Sequence, residues 1–255
     1  MTLLSALGPG DPMIRVEGIT KYYLGATVLD GVTLDIPSGS NLGLMGPGGA
    51  GKSLLLKIIA GLVEPDQGRV LVDGHDVGTL DAHKLAQLRF NIGMVFQNYA
   101  LFDSMNVGEN IAFPLRQRGG VPEEEIQARV REQLALVGLP GIAHQYPREL
   151  SGGMKKRVSF CRAVIPAPPL LFYDDPTAGL DPVTSSKIFI HLRRMQQDGG
   201  TTAITISHDI DGIKPICDRF ALLDHGRLVF HGTRDEIEAS DDRLVRQFWD
   251  GFSDD

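Results

Sequence analysis

Two cysteines, one tryptophan and no apolar run long enough to cross a bilayer are the first features of this 255-residue sequence. Cys161 and Cys217 stand far apart and in no metal-ligand spacing, which excludes a disulfide framework or a zinc module and fits a reducing compartment. The hydrophobic stretches fall short of the ~18 residues that a spanning helix needs. Positive charge is not in excess either. The 25 Lys and Arg against 32 Asp and Glu leave a net charge of −7, which argues against nucleic acid as the main partner. Met1–Pro12 opens without basic residues and its apolar run breaks at Gly8-Pro9-Gly10, so it reads as a disordered lead rather than a signal peptide. Glycine, in contrast, is abundant at 30 residues, and several of them crowd one short stretch.

That stretch runs from Asn41 through Gly46-Pro-Gly-Gly-Ala-Gly-Lys-Ser53 into an apolar segment ending near Ala60. It reads as strand, turn and helix, and its turn matches G-x-x-x-x-G-K-[ST], a phosphate-binding loop. Glycines at 46, 48, 49 and 51 allow backbone N–H groups to converge on an anion, and the helix start near Lys52 adds its own unpaired N–H groups. Lys52 is placed to reach the β/γ-phosphates and Ser53 to ligate Mg²⁺ through its hydroxyl. A chance match in a chain of this length is roughly a one-in-a-hundred event.

Along the rest of the chain, Ile14 and Val16, then Val32, Leu34 and Ile36, alternate as half-buried strands do, with Asp30-Gly31 and Pro37-Ser-Gly39 as turn punctuation and a turn-like segment, Thr20–Gly25, between them. Tyr22 and Tyr23 lie in a turn-like segment, where a ring could stack on adenine or merely lid a loop. Asn91–Phe96 reads as a strand ending at Gln97. The segment Asn98–Leu115 is apolar and aromatic without a clean helical or strand period, so it is either core or a docking surface. Pro122 and Glu123–Glu125 open a helix whose buried face is Ile126, Val130, Leu134 and Val137.

Ser151-Gly152-Gly153 cap a further helix and leave N–H groups open, a second anion site by the physics of the first. By itself that signal is weak. It gains weight from the apolar strand Leu170–Asp174 that follows, whose terminal acids suit a Mg²⁺-side carboxylate (Asp174) and a group that orients or deprotonates water (Asp175). Asp181 reads as the cap of the next helix. His208 stands at the end of the strand Thr201–Ser207, where ligands of open α/β sheets bind.

In order and spacing, these motifs resemble the nucleotide-binding subunits of ABC transporters over roughly residues 13–250. The resemblance implies an α/β fold: a P-loop NTPase of the ABC ATPase type, with a RecA-like mixed-sheet core, an antiparallel β subdomain and an α-helical subdomain. It implies a disordered lead at 1–12, an ATPase domain at 13–240 with the helical subdomain at about 98–165, and a C-terminal tail at 241–255. Gly46, Gly48, Gly49, Ala50, Gly51, Lys52 and Ser53 then correspond to the Walker A loop, and Gln97 to the Q-loop. Ser151, Gly152 and Gly153 correspond to the signature, Asp174 to the Walker B acid, Asp181 to the D-loop and His208 to the H-switch.

Within that family the resemblance is nearest to ATPases of the Mla and MCE-associated phospholipid systems. It rests on LFDSM-x-V-x-EN-x-AFPL from Leu101 to Leu115, LSGGM-x-KR from Leu150 to Arg157, and VRQF-x-x-G from Val245 to Gly251. It implies ATP and Mg²⁺ as cofactors, with Ser53, Gln97 and Asp174 on the metal. Lys52, Gln97, Asp175 and His208 are the implied catalytic set, and Tyr23 the adenine platform. The implied partners are a second copy of the chain in a head-to-tail ATP sandwich, a membrane permease of the MlaE type, an MCE lipid-binding protein and often a STAS-domain protein like MlaB. The implied location is the cytoplasmic face of the inner membrane. Asp175 departs from the family's usual Glu, and Phe160-Cys161 replaces smaller residues, read here as a repacked interior. The rival reading is a nucleotide-gated clamp with negligible turnover, or transport of another hydrophobic substrate.

Overall fold

The computed structural model describes residues 12–96, 99–175 and 182–251. Gln97, Asp181 and the lead up to Asp11 therefore lie outside the described residues.

Strands β1 (Pro12–Tyr23), β2 (Ala26–Pro37), β4 (Gln67–Val72) and β5 (His75–Asp76) form an antiparallel sheet in the order β2-β1-β4-β5. Alternation of buried and exposed residues over Val32–Ile36 is the sign of one wet face. The turn in this hairpin is Leu24-Gly25, inside the turn-like segment Thr20–Gly25, whereas Asp30-Gly31 is not a turn. β2 runs on through Gly31, whose positive φ of 65° makes an irregularity inside the strand. Its N–H is satisfied by Thr20 Oγ1 at 3.0 Å.

A second sheet has the order β10-β9-β3-β8-β7-β6, from β3 (Asn41–Met45), β6 (Ile92–Val95), β7 (Leu170–Asp174), β8 (Thr202–Ile206), β9 (Arg219–Asp224) and β10 (Arg227–Thr233). All neighbours are parallel except β9–β10, a hairpin at the edge. β3, β7 and β8 are buried along their whole length, as parallel strands covered on both faces must be. Period-two alternation divides β7 between two cores. Leu170 and Phe172 pack with the antiparallel sheet and α1 (Lys52–Ile59), while Leu171 and Tyr173 pack with the helices on the other face.

Those helices include α3 (Val107–Arg118), α4 (Glu123–Leu136) and α5 (Gly152–Val164), which pack against one another. α4 buries Ile126, Val130 and Leu134, with Val137 at its end, as its spacing predicts. α3 answers the segment whose period was unreadable. Pro114 lies inside it, and its buried face includes Asn110, so an apolar stripe is broken by a polar residue. Asn110 is fully buried because it works locally. Its amide nitrogen donates to the carbonyls of Phe102, Met105 and Asn106, and its oxygen accepts from Phe102 N. A capping box between Asn106 and Glu109 starts the helix. Phe160 and Cys161 are both in the interior, Phe160 against the rings of Tyr173 and His191.

The remaining elements are α2 (Ala82–Phe90), capped by Asp81, then α6 (Pro182–Gly199), α7 (Ile210–Ile213), α8 (Arg234–Glu238) and α9 (Arg243–Asp250). The tail is thus helical over much of its length, with Val245 and Trp249 buried and Trp249 edge-on to Phe220.

Candidate functional site

Three strands of the parallel sheet end together. β3 and β7 flank β8, and their registers bring Met45, Asp174 and Ile206 to one edge. The glycine-rich loop leaves this edge from β3. Gly46 sits at φ 140°, and a Cβ there would lie 2.0 Å from the carbonyl oxygen of Leu223 on β9. Backbone is pressed against backbone, so no rotamer change can relieve the overlap. Gly46→Ala is therefore expected to destabilise the chain by more than about 4 kcal/mol, measured by denaturant unfolding; an unchanged midpoint would contradict this packing. The tips Gly48 and Gly49 are exposed, and a Cβ on either would meet only open space. Crowding at the loop's base and room at its tip suit a cradle for an anion.

Gly51, at φ 98°, caps α1 without a side chain, so the helix N-terminus faces the loop bare. A Cβ at Gly51 would meet Leu29 and Val28, which sets the β1–β2 hairpin beside the loop. Tyr23, on that hairpin, is about half exposed, with the Lys21 ammonium 5.8 Å from its ring centroid. Lys52 is buried, its Nζ donating to the carbonyl oxygens of Gly46 (2.7 Å) and Pro47 (2.8 Å). Burial lowers its pKa, against the opposing pull of Asp174 and Asp175.

Ser53 Oγ donates to Asp174 Oδ1 at 3.0 Å. This contact spans the width of β8 and joins residues far apart in the chain. Asp175 follows at φ 57°, in the left-handed region, with its N–H on Ile206 O at 2.9 Å. Both acids are buried. The short polar side chain of Asp tolerates this backbone better than a longer one does, which is a structural reason for Asp where Glu is usual. His208 is exposed, two residues beyond the position level with Asp174.

At the start of α5, the Ser151 hydroxyl accepts from Met154 N at 3.3 Å. A Cβ on Gly152 would approach the Tyr99 hydroxyl to 3.0 Å. Tyr99 and Ala100 both have positive φ, and the Arg162 guanidinium of α5 donates to both of their carbonyls. The structure thus brings Lys52, Ser53, Asp174 and Asp175 together around one sheet edge, with His208 beyond its next strand.

A further member of this group comes from α5. Lys156 of α5 is buried at 4% exposure and donates from Nζ to the Asp175 carbonyl at 2.9 Å. In the sequence Lys156 enters only as the Lys of the LSGGM-x-KR pattern, with no role of its own. The available signal was its phase, since Ser159, Phe160, Ala163 and Val164 lie three, four, seven and eight residues on and are all buried.

The family model for the ABC transporter matches residues 29–178. The methionine import ATP-binding protein MetN of Carboxydothermus hydrogenoformans is 44% identical over 228 residues, which are 88% of this chain and 67% of MetN. A probable ribonucleotide transport ATP-binding protein, mkl of Mycobacterium leprae, is 38% identical over 238 residues, 93% of this chain and 69% of that one. Among solved structures, the dimeric ATP-binding cassette MJ0796 in a post-hydrolysis state bound to ADP and Pi is similar with a TM-score of 0.82. It is 33% identical and covers 87% of this chain and 98% of its own. The structure of cbiO1 from Clostridium perfringens, part of the transporter complex cbiONQ, has a TM-score of 0.77 and 32% identity, covering 93% and 94%.

Proposed function

The chain belongs to the ABC transporter family, and on that premise we propose that it is the ATP-hydrolysing subunit of a transporter that moves phospholipid. The ATPase reading is carried by the Ser53–Asp174 contact at 3.0 Å. A hydroxyl and a carboxylate, both hard oxygen donors, meet at the end of an anion loop, the donor set that suits Mg²⁺ beside a triphosphate. Ser53, Asp174 and Gln97 would hold the ion, which when bound neutralises charge on the phosphate oxygens.

The chain supplies the rest. The loop from Gly46 to Ser53 cradles the phosphates, and Lys52 trades the carbonyls of Gly46 and Pro47 for phosphate oxygens. Asp175 orients the attacking water and draws on its proton, His208 contacts the γ-phosphate, and Tyr23 stacks on the adenine. Catalysis of this kind is mostly positioning and charge stabilisation. Ser151, Gly152 and Gly153 complete the site of a second copy, with Asp181 at the same head-to-tail interface. Residues 13–240 make up the ATPase domain, 98–165 its helical subdomain and 241–255 the tail. Ser53→Ala is expected to raise the Mg²⁺ concentration needed for half-maximal hydrolysis roughly tenfold. An unchanged requirement would remove Ser53 from the metal site.

The permease partner has a candidate docking face. Exposed Leu62 borders a cavity of about 380 Å³ between α1, β4 and α2, lined by Ile58, Leu80 and Leu85 and by the charged Glu64, Arg69, Asp76 and Arg89. Among the described residues no helix is long and apolar enough to cross a membrane.

Phospholipid as cargo is supported by the Leu101–Leu115, Leu150–Arg157 and Val245–Gly251 patterns. With it come an MlaE-type permease, an MCE protein and a MlaB-like STAS protein, assembled at the cytoplasmic face of the inner membrane. The relatives, a methionine importer and a probable ribonucleotide transporter, favour a second reading, import of a small polar solute such as methionine. Purification of the ATPase with its membrane subunits, followed by extraction and identification of the bound cargo, decides between them. Phospholipid in molar proportion supports the first reading; ATP-dependent uptake of methionine with no bound lipid overturns it.

A further inference from the structure

We infer that Lys156 is a positioning residue for hydrolysis, holding the Asp175 carbonyl so that the left-handed turn at Asp175 aims its carboxylate at the reacting water. This rests on the role given to Asp175 above. Asp175 follows directly on the strand that carries Asp174, and its φ of 57° is a conformation that a non-glycine residue keeps only when its surroundings impose it. Two hydrogen bonds impose it. On one side the Asp175 N–H donates to Ile206 O of β8 at 2.9 Å. On the other, the Lys156 ammonium donates to the Asp175 carbonyl oxygen, also at 2.9 Å. The peptide groups flanking the residue are thereby pinned from the sheet and from a helix.

A buried cation is costly unless it is paired and hydrogen-bonded. Burial lowers the pKa of Lys156, and the nearby Asp175 and Asp174 carboxylates oppose that shift, in the direction that favours its charge. At 4% exposure in a helix interface, the Lys156 ammonium is held where its charge and its donors act on the groups around it, the Asp175 carbonyl among them. Its helix matters too. Ser151, Gly152 and Gly153 open α5, and Lys156 stands three to five residues beyond them, roughly 5–8 Å along the axis. The same rigid element would therefore touch the nucleotide held by a second copy and the acid that serves the chain's own nucleotide. A shift of α5 on closure would be felt at Asp175 through Lys156.

The test uses the assembled transporter with MgATP. Lys156→Met keeps the length and apolar stem of the side chain and removes the charge and the donor. Expected is a fall in kcat of at least about tenfold, with KM for ATP changed less than about threefold, and recovery of most of the rate in Lys156→Arg. If Lys156 acts through Asp175, adding Lys156→Met to Asp175→Asn causes no further loss, because the group being positioned is already disabled. A parental kcat in Lys156→Met overturns the inference. So does a loss that adds in full to that of Asp175→Asn, or one that Arg fails to rescue and that tracks a lowered melting temperature. If Asp175→Asn itself turns over at the parental rate, the reading of the site fails instead, and the two failures are told apart by that single variant.

Discussion

Asp175→Asn is expected to lower kcat for ATP hydrolysis by about a thousandfold, within the range for loss of a general base, while ATP still binds. The substitution is unusually clean at this position. Asn, like Asp, tolerates a left-handed backbone, so the φ of 57° and the hydrogen bonds to Ile206 and Lys156 are retained. Only the negative charge and the proton-accepting capacity are removed. Phosphate release at saturating MgATP and equilibrium binding of a fluorescent ATP analogue measure the two halves of this prediction. Parental turnover would show that another group orients the water. Absence of phosphate release in the unmodified chain, with binding intact, would instead favour the nucleotide-gated clamp. Asp175→Glu is the complementary variant. Its extra methylene gains roughly 1.5 Å of reach, but a longer side chain sits less readily in the left-handed region.

Gly152→Asp is expected to abolish hydrolysis to a similar extent by setting a carboxylate against the γ-phosphate held by the second copy. Like charges at close range in a water-excluded site repel strongly, so the pair of chains should fail to close. The geometry adds a necessary control. Any Cβ on Gly152 stands 3.0 Å from the Tyr99 hydroxyl, so part of the loss could come from displacing that ring. Gly152→Ala makes the same contact without the charge. If Ala costs less than about tenfold and Asp about a thousandfold, the effect is electrostatic. ATP affinity of the isolated chain separates this variant from Lys52→Ala, which removes a ligand of the chain's own nucleotide and should weaken binding directly. Equal loss of affinity in both would count against a site shared between two copies.

The phosphate loop, the strand Leu170–Asp174 and the helix face of Ile126, Val130 and Leu134 were determined by sequence alone. Each is local: glycine spacing, unbroken apolar residues and a 3.6-residue period act within one element, and no distant contact is needed to read them. The caps at Asp81 and Thr233 are seen in the structure, where each side chain satisfies a backbone N–H three residues on. α3 was not legible, since Pro114 and the buried Asn110 break the stripe that announces a helix, and what compensates them is the loop Asn110 ties down.

Only the tertiary structure decided how the site is joined. The hydrogen bond from Ser53 to Asp174 depends on β8 lying between β3 and β7, a strand order that side-chain periodicity does not encode. Gly46 is obligatory because of a carbonyl on β9, contributed from far along the chain. Lys156 shows the limit most plainly. Its phase on α5 marks it as an inward-facing residue, but only the fold, by setting α5 against the sheet edge where the acids end, joins its ammonium to the Asp175 carbonyl.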